Sequence, residues 1–140
     1  ITERANATNH VNNALIEKYT STYKTMGFHS DQAQDLQEGS AIFIFSCYKD
    51  ACHSDRKLVI EKKQSKKQEG TGDSTETFEI PLLHNSVVWF SLDTNRQYRH
   101  KIVLDSQSKE HCFGQNEWLG ITFRTSKMFL KDTATLWKGV

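Results

Sequence analysis

Apolar positions in this chain fall in short runs of strand length, set apart by polar connections. Ala41 to Tyr48 (AIFIFSCY) is an apolar and aromatic run. Lys57 to Lys63 has a short apolar core with polar flanks, and Thr77 to Leu82 alternates until Pro81 interrupts it. Ser86 to Leu92 (SVVWFSL) is the most β-prone stretch, rich in branched and aromatic residues. Tyr98 to Leu104 and Trp118 to Arg124 alternate, as strands with one buried face do. Val11 to Tyr19 fits a strand or a short helix by pattern alone. Gln64 to Thr75 (QSKKQEGTGDST) reads as the tip of a long hairpin, and Lys127 to Val140 carries a weak helical signal. Seven or so short strands with polar connections predict an all-β core, an antiparallel sandwich or jelly roll, with some helix at its periphery.

The length of 140 residues suits a single domain, 1–140, with a real core. Ile1 in place of a start methionine points to a domain excised from a longer chain. Hydrophobic content of 36% with 25% charged residues excludes a disordered chain. No apolar run approaches ~18 residues, so no membrane span is expected, and no secretory leader is visible. A net charge of +1 does not by itself demand a nucleic-acid partner. Three cysteines, Cys47, Cys52 and Cys112, are an odd number. A disulfide framework is therefore not expected, and an intracellular, reducing compartment is, with cytoplasm and nucleus undistinguished.

The chemistry-bearing pattern is His29-Ser-Asp31, followed at a distance by His100. Two imidazoles and one carboxylate are the ligand set of non-haem ferrous iron with open positions. In extended backbone, residues i and i+2 share a face, so His29 and Asp31 can reach one metal while Ser30 points away. A third ligand must come from another strand. His10, His53, His84 and His111 compete with His100 for that role. Strand placement favours His100, in an alternation that sets Arg96, Tyr98, His100 and Ile102 on one face. By itself the tripeptide recurs by chance, and a lone strand histidine is more often a satisfied structural residue.

Three other features carry a plainer reading. Arg56, Lys57, Lys62, Lys63, Lys66 and Lys67 could contact phosphates, but a solvated hairpin explains them better. Cys47, Cys52-His53 and His111-Cys112 lack the paired spacing of a zinc site. Of Trp89 and Phe90, one is expected in the core and the other at a pocket wall.

Five segments occur in a telling order: Leu15-Ile-Glu-Lys-Tyr19, Gly27-Phe-His-Ser-Asp31, Asn85-Ser-Val-Val-Trp-Phe-Ser91, Tyr98-Arg-His-Lys-Ile102 and Ile121-Thr-Phe-Arg124. Over about residues 11 to 126 the chain resembles the AlkB-like branch of the 2-oxoglutarate and iron(II)-dependent dioxygenases. The resemblance implies a double-stranded β-helix, or jelly roll, that uses Fe(II), 2-oxoglutarate and O2. It implies that His29, Asp31 and His100 are the catalytic metal ligands. Arg124 matches the arginine that contacts the co-substrate carboxylate, a role suited to a bidentate guanidinium. Tyr19 matches a tyrosine that hydrogen-bonds the co-substrate.

The departures narrow the reading. A second arginine, expected six residues before Arg124, is replaced by Trp118, which alternation places on the cavity face with Gly120, Thr122 and Arg124. Arg96 or Arg99 is then expected to substitute, or Ser126 to pair its hydroxyl with Arg124. Glu17 stands where an asparagine is usual, and a carboxylate facing an anion needs a cation beside it. Ala33 stands where base-repair members carry an acid, which argues against repair of 1-methyladenine or 3-methylcytosine. The implied activity is oxidative demethylation of N-methylated nucleic-acid bases, with nucleic acid as substrate. Hydroxylation of a protein or small molecule is the alternative with the same cofactors. A non-catalytic jelly-roll binding domain is the alternative of another class.

Overall fold

The computed structural model describes residues 10–64, 76–105 and 116–128. Seven strands and one short helix follow in the order β1 (Asn13–Tyr19), β2 (Ala41–Tyr48), β3 (Arg56–Lys62), β4 (Thr77–Pro81), β5 (Ser86–Ser91), α1 (Leu92–Gln97), β6 (Tyr98–Leu104) and β7 (Trp118–Arg124). They form two antiparallel sheets, ordered β1-β7-β2-β5 and β4-β3-β6. The core is all-β and jelly-roll-like, as the alternation predicts. The first segment resolves as strand rather than helix, because it pairs along its full length with β7. Of the expected hairpin tip only Gln64 lies within the described residues, and of the expected C-terminal helix only Lys127 and Met128.

The core lies between the sheets. Tyr19, Ile44, Tyr48 and Trp118 from the four-stranded sheet meet Leu58 and Ile102 from the three-stranded sheet, with Leu82 between them. Burying each such aliphatic side chain contributes about 1.5–3 kcal/mol against the chain entropy lost on folding. A smaller cluster of Leu36, Ile42 and Leu92 closes one end. Asn85 adopts a positive φ of 56° in the turn before β5, a conformation that asparagine tolerates. Among the described residues no helix is long and apolar enough to cross a membrane.

One segment departs from the expected alternation. Leu92–Gln97 is helical, so β6 begins at Tyr98 and Arg96 belongs to no strand face. The cause is local. Ser91 is extended, and its hydroxyl accepts a hydrogen bond from the Thr94 amide at 3.1 Å, capping the turn. Asp93 in the first turn and Arg96 in the last suit the helix dipole and pair with each other at 2.7 Å.

Trp118 is 1% exposed, and its indole folds back over Gly120. A Cβ at position 120 would collide with that ring, whereas Gly27 has open space around it. Gly120→Ala is expected to lose about 1–3 kcal/mol of stability by overpacking. Gly27→Ala should stay within about 0.5 kcal/mol of the parent. Urea denaturation of the two variants compares them directly.

Candidate metal centre

The site begins with backbone pairing. The segment before Asp31 runs antiparallel along β6, with bridges Thr25 to Val103 and His29 to His100. The His29 amide donates to the His100 carbonyl at 2.9 Å, and the His100 amide donates to the His29 carbonyl at 2.7 Å. Residues opposed in this way project their side chains to the same side. The two imidazoles accordingly stand with ring centroids 4.6 Å apart.

Asp31 joins them from two residues along. Its Oδ1 lies 3.5 Å from His100 Nε2 and 4.0 Å from His29 Nε2. Ser30 points the other way, and its hydroxyl donates to the Tyr98 carbonyl at 2.8 Å. Asn95, buried in α1, holds the Asp31 backbone with both ends of its amide: Nδ2 donates to the Asp31 carbonyl at 2.9 Å, and Oδ1 accepts from the Asp31 amide at 3.0 Å. His29 Nδ1 lies 3.1 Å from the Gly27 carbonyl, which leaves Nε2 for the cluster.

The three candidate ligand atoms lie within 4.8 Å of one another, and among the described residues no other group of three His, Cys, Asp or Glu does so. His29, Asp31 and His100 are thus near enough to one another that they would together hold a single ion. Burial opposes the charge on Asp31. The hydrogen bond from His100 and the positive fields of His100, Arg124 and His29 outweigh it and hold the carboxyl below its ordinary range. An ionised acid between two imidazoles suits a divalent iron with open positions.

A cavity of about 420 Å³ opens on this cluster. Leu15, Met26, Ile44 and Ile102 give it apolar walls, and Glu17, Ser30, Gln32, Thr122 and Arg124 its remaining polar lining. Arg124 reaches to 3.6 Å from Asp31 Oδ2, and its buried Nε has no partner. An orphaned guanidinium nitrogen beside the cavity is what a bound carboxylate would complete.

Other expected residues stand further off. Tyr19 is buried behind the cavity wall, its hydroxyl donating to Glu17 Oε1 at 2.8 Å. Burial, then the bond to Glu17, holds that phenol protonated. Ser126 does not line the cavity: its hydroxyl accepts from Asn13 Nδ2 at 3.1 Å and its amide donates to Asn12 Oδ1 at 2.7 Å. Trp118 keeps the expected strand face but packs in the core against Tyr19 instead of lining the cavity.

Neither Arg96 nor Arg99 lines the cavity. Arg96 pairs with Asp93 and Glu38, and Arg99 pairs with Glu61 and lies over Phe28. Ala33 packs against the Leu36 cluster. Trp89 is 52% exposed and Phe90 packs on His100, so neither lines the cavity.

Among the described residues the basic run is divided rather than gathered on one free face. Arg56 is buried, Lys57 pairs with Glu79 and Asp105, and Lys63 donates to the Asn95 carbonyl, while Lys66 and Lys67 lie outside the described residues. Of the zinc candidates, His53 pairs with Asp50, and His111 and Cys112 lie outside the described residues. His84 accepts a hydrogen bond from the Tyr48 amide.

Asn95 is the residue that pattern reading misses. Its one sequence signal is a polar residue at the centre of a Ser91-capped turn, five positions before His100.

Residues 1–124 match the family model described as the 2OG-Fe(II) oxygenase superfamily. No curated protein matches the chain.

Cobalt(II) titration followed by visible absorbance should show a single site per chain. His29→Ala should lose it, and His84→Ala should keep it. Asn95→Ala should keep the fold by circular dichroism yet weaken cobalt binding by about 10–100-fold, since it orients a ligand.

Proposed function

The chain belongs to the 2OG-Fe(II) oxygenase superfamily, and from that premise we propose that it is an AlkB-like dioxygenase that demethylates N-methylated nucleic-acid bases by oxidation. The observation that carries the reading is convergence. The pair His29 and Asp31, and the distant His100 and Arg124, line one cavity, in the order that the resemblance expects.

When bound, iron(II) and 2-oxoglutarate supply activated O2 for oxidation of a substrate C–H bond, with release of succinate and carbon dioxide. The residues of the chain supply position and environment. His29, Asp31 and His100 would hold the metal, and all three line the cavity. Arg124 takes a co-substrate carboxylate with the guanidinium nitrogen that is otherwise orphaned. Met26, Ile44 and Ile102, with the half-exposed Leu15, would give the reacting carbon an apolar wall.

Substrate reading falls to Gln32, whose amide lines the cavity and is exposed. An amide can both donate to and accept from a base edge. With Ala33 turned into the Leu36 cluster, no acid at that position reads a cationic base. A neutral N-methylated base, such as an N6-methyl purine, fits this lining better than 1-methyladenine or 3-methylcytosine. Oxidation at the N-methyl carbon would release formaldehyde.

The test is formaldehyde release from methylated oligonucleotides in the presence of iron(II), 2-oxoglutarate and O2, with a peptide panel beside them. The expected outcome is release from N6-methylated oligonucleotides, none from the peptides, and loss of succinate formation in His29→Ala. Succinate formation stimulated by peptides alone would replace demethylation with protein hydroxylation. Parent-like turnover in His29→Ala would contradict the site.

A further inference from the structure

The two paired segments that carry His29 and His100 each have a second face. The imidazoles line the cavity, and alternation turns Phe28, Arg99 and Lys101 to the opposite side. There both cations lie on the Phe28 ring. Lys101 Nζ is 4.3 Å from its centroid, and Arg99 Cζ is 5.4 Å from it. As residues i and i+2 of β6, the two stand roughly 7 Å apart along the strand. A long cation already held on a ring gives up less rotamer freedom when a ligand arrives.

Charge at this end of the sheet is not balanced by local carboxylates. Arg99 gives its Nε to the buried Glu61 and remains half-exposed. Among the described residues Lys101 forms no ion pair. Neither does Lys62, which is exposed and lies across from Tyr98 in the register. Lys63 follows it, and its Nζ donates to the carbonyl of Asn95, the residue that clamps Asp31. Of these four cations only Arg99 is paired with a carboxylate. The far end of the same face differs, because Lys57 pairs there with Glu79 and Asp105.

We propose that Lys62, Arg99 and Lys101, the last two held by Phe28, form a docking strip for the phosphates of a single-stranded nucleic acid. The proposal rests on the reading that the cavity takes a methylated base. A base enters such a cavity only out of its stack, and the nucleotides beside it are then most easily held as single strand. The Ser30 hydroxyl ties the segment after Phe28 to the start of β6. Strip and metal ligands therefore lie on opposite faces of the same short pieces of backbone. A strand whose base reaches the metal ligands carries its next phosphates over this edge segment and onto the strip. A row of exposed cations with one balancing carboxylate complements such a polyanion.

Fluorescence anisotropy of a labelled, unmethylated single-stranded oligonucleotide with the full chain, between about 50 and 200 mM salt, tests this. Lys101→Gln and Lys62→Gln should each weaken binding about two- to five-fold, the scale of an exposed ion pair. Each should also flatten the dependence of log affinity on log salt by about 0.7, one phosphate contact on a single strand. Lys57→Gln removes the same charge at the far end and should keep both readouts at the parent's values. Circular dichroism reports whether each variant is folded, and either of the two strip variants suffices. No binding by the parent, equal losses in all three variants, or no loss in the strip variants overturns the strip. So does tighter binding of a polyglutamate peptide than of the oligonucleotide. Formaldehyde release from methylated oligonucleotides in those cases leaves the demethylase reading standing without the strip. Binding that follows the strip, with no release from any oligonucleotide, keeps the strip and overturns the demethylase reading.

Discussion

Two backbone hydrogen bonds between His29 and His100 set the geometry on which the metal centre depends. They place one imidazole from a connecting segment directly opposite one from β6. In the sheet order β4-β3-β6, β6 is an edge strand. An unpaired edge is a hazard for association with other chains. Here the segment from Lys24 to His29 covers that edge, since the Leu104 amide also donates to the Lys24 carbonyl at 2.7 Å. Protecting the edge and bringing two ligands together are accomplished by the same contacts. Asp31 follows at the next position on that face, and Asn95 clamps its backbone from the other side of the segment.

The four-stranded sheet gives the cavity its gradient. Its inward residues lie in rows set by register. Arg124 and Asn13 form one row, and Thr122, Leu15 and Ile44 the next. Then come Gly120, Glu17 and Ser46, and last Trp118, Tyr19 and Tyr48. The first rows leave space and the last is filled with aromatic rings. Gly120 is the hinge of this arrangement, because only a residue without a side chain lets the indole lie back over its neighbour. Polar atoms persist in the filled end, where burial makes an unpartnered group costly.

Much of this was legible in the sequence. Six of the seven strands were readable from alternation or β-prone runs, even β4, whose residues are almost all exposed. His29, Asp31 and His100 could be grouped because strand periodicity says which residues share a face. Arg124 could be placed because the closing segment Ile121-Thr-Phe-Arg124 resembles the family's, and alternation sets it on the face of Thr122.

What escaped were features set by tertiary contact. Arg56 heads a run of basic residues and reads as solvated, yet the β3–β6 pairing and the Tyr48 hydroxyl draw it into the interior. Asn95 escaped because one capped turn interrupts a run that otherwise continues as strand. Ser126 looked like a partner for Arg124 by proximity in sequence, but the chain leaves β7 and its hydroxyl turns to Asn13. Nothing in spacing alone distinguishes these cases, since each depends on which neighbour arrives across the sheet.

In the proposed enzyme one metal and one keto acid share the cavity lined by His29, Asp31, His100 and Arg124. A crystal structure of the protein with manganese(II) and 2-oxoglutarate, grown without oxygen, tests it most directly. The expected result is one ion ligated by all three side chains, with the keto acid on that ion and a carboxylate against Arg124. An ion bound elsewhere, or a keto acid away from Arg124, would contradict the account.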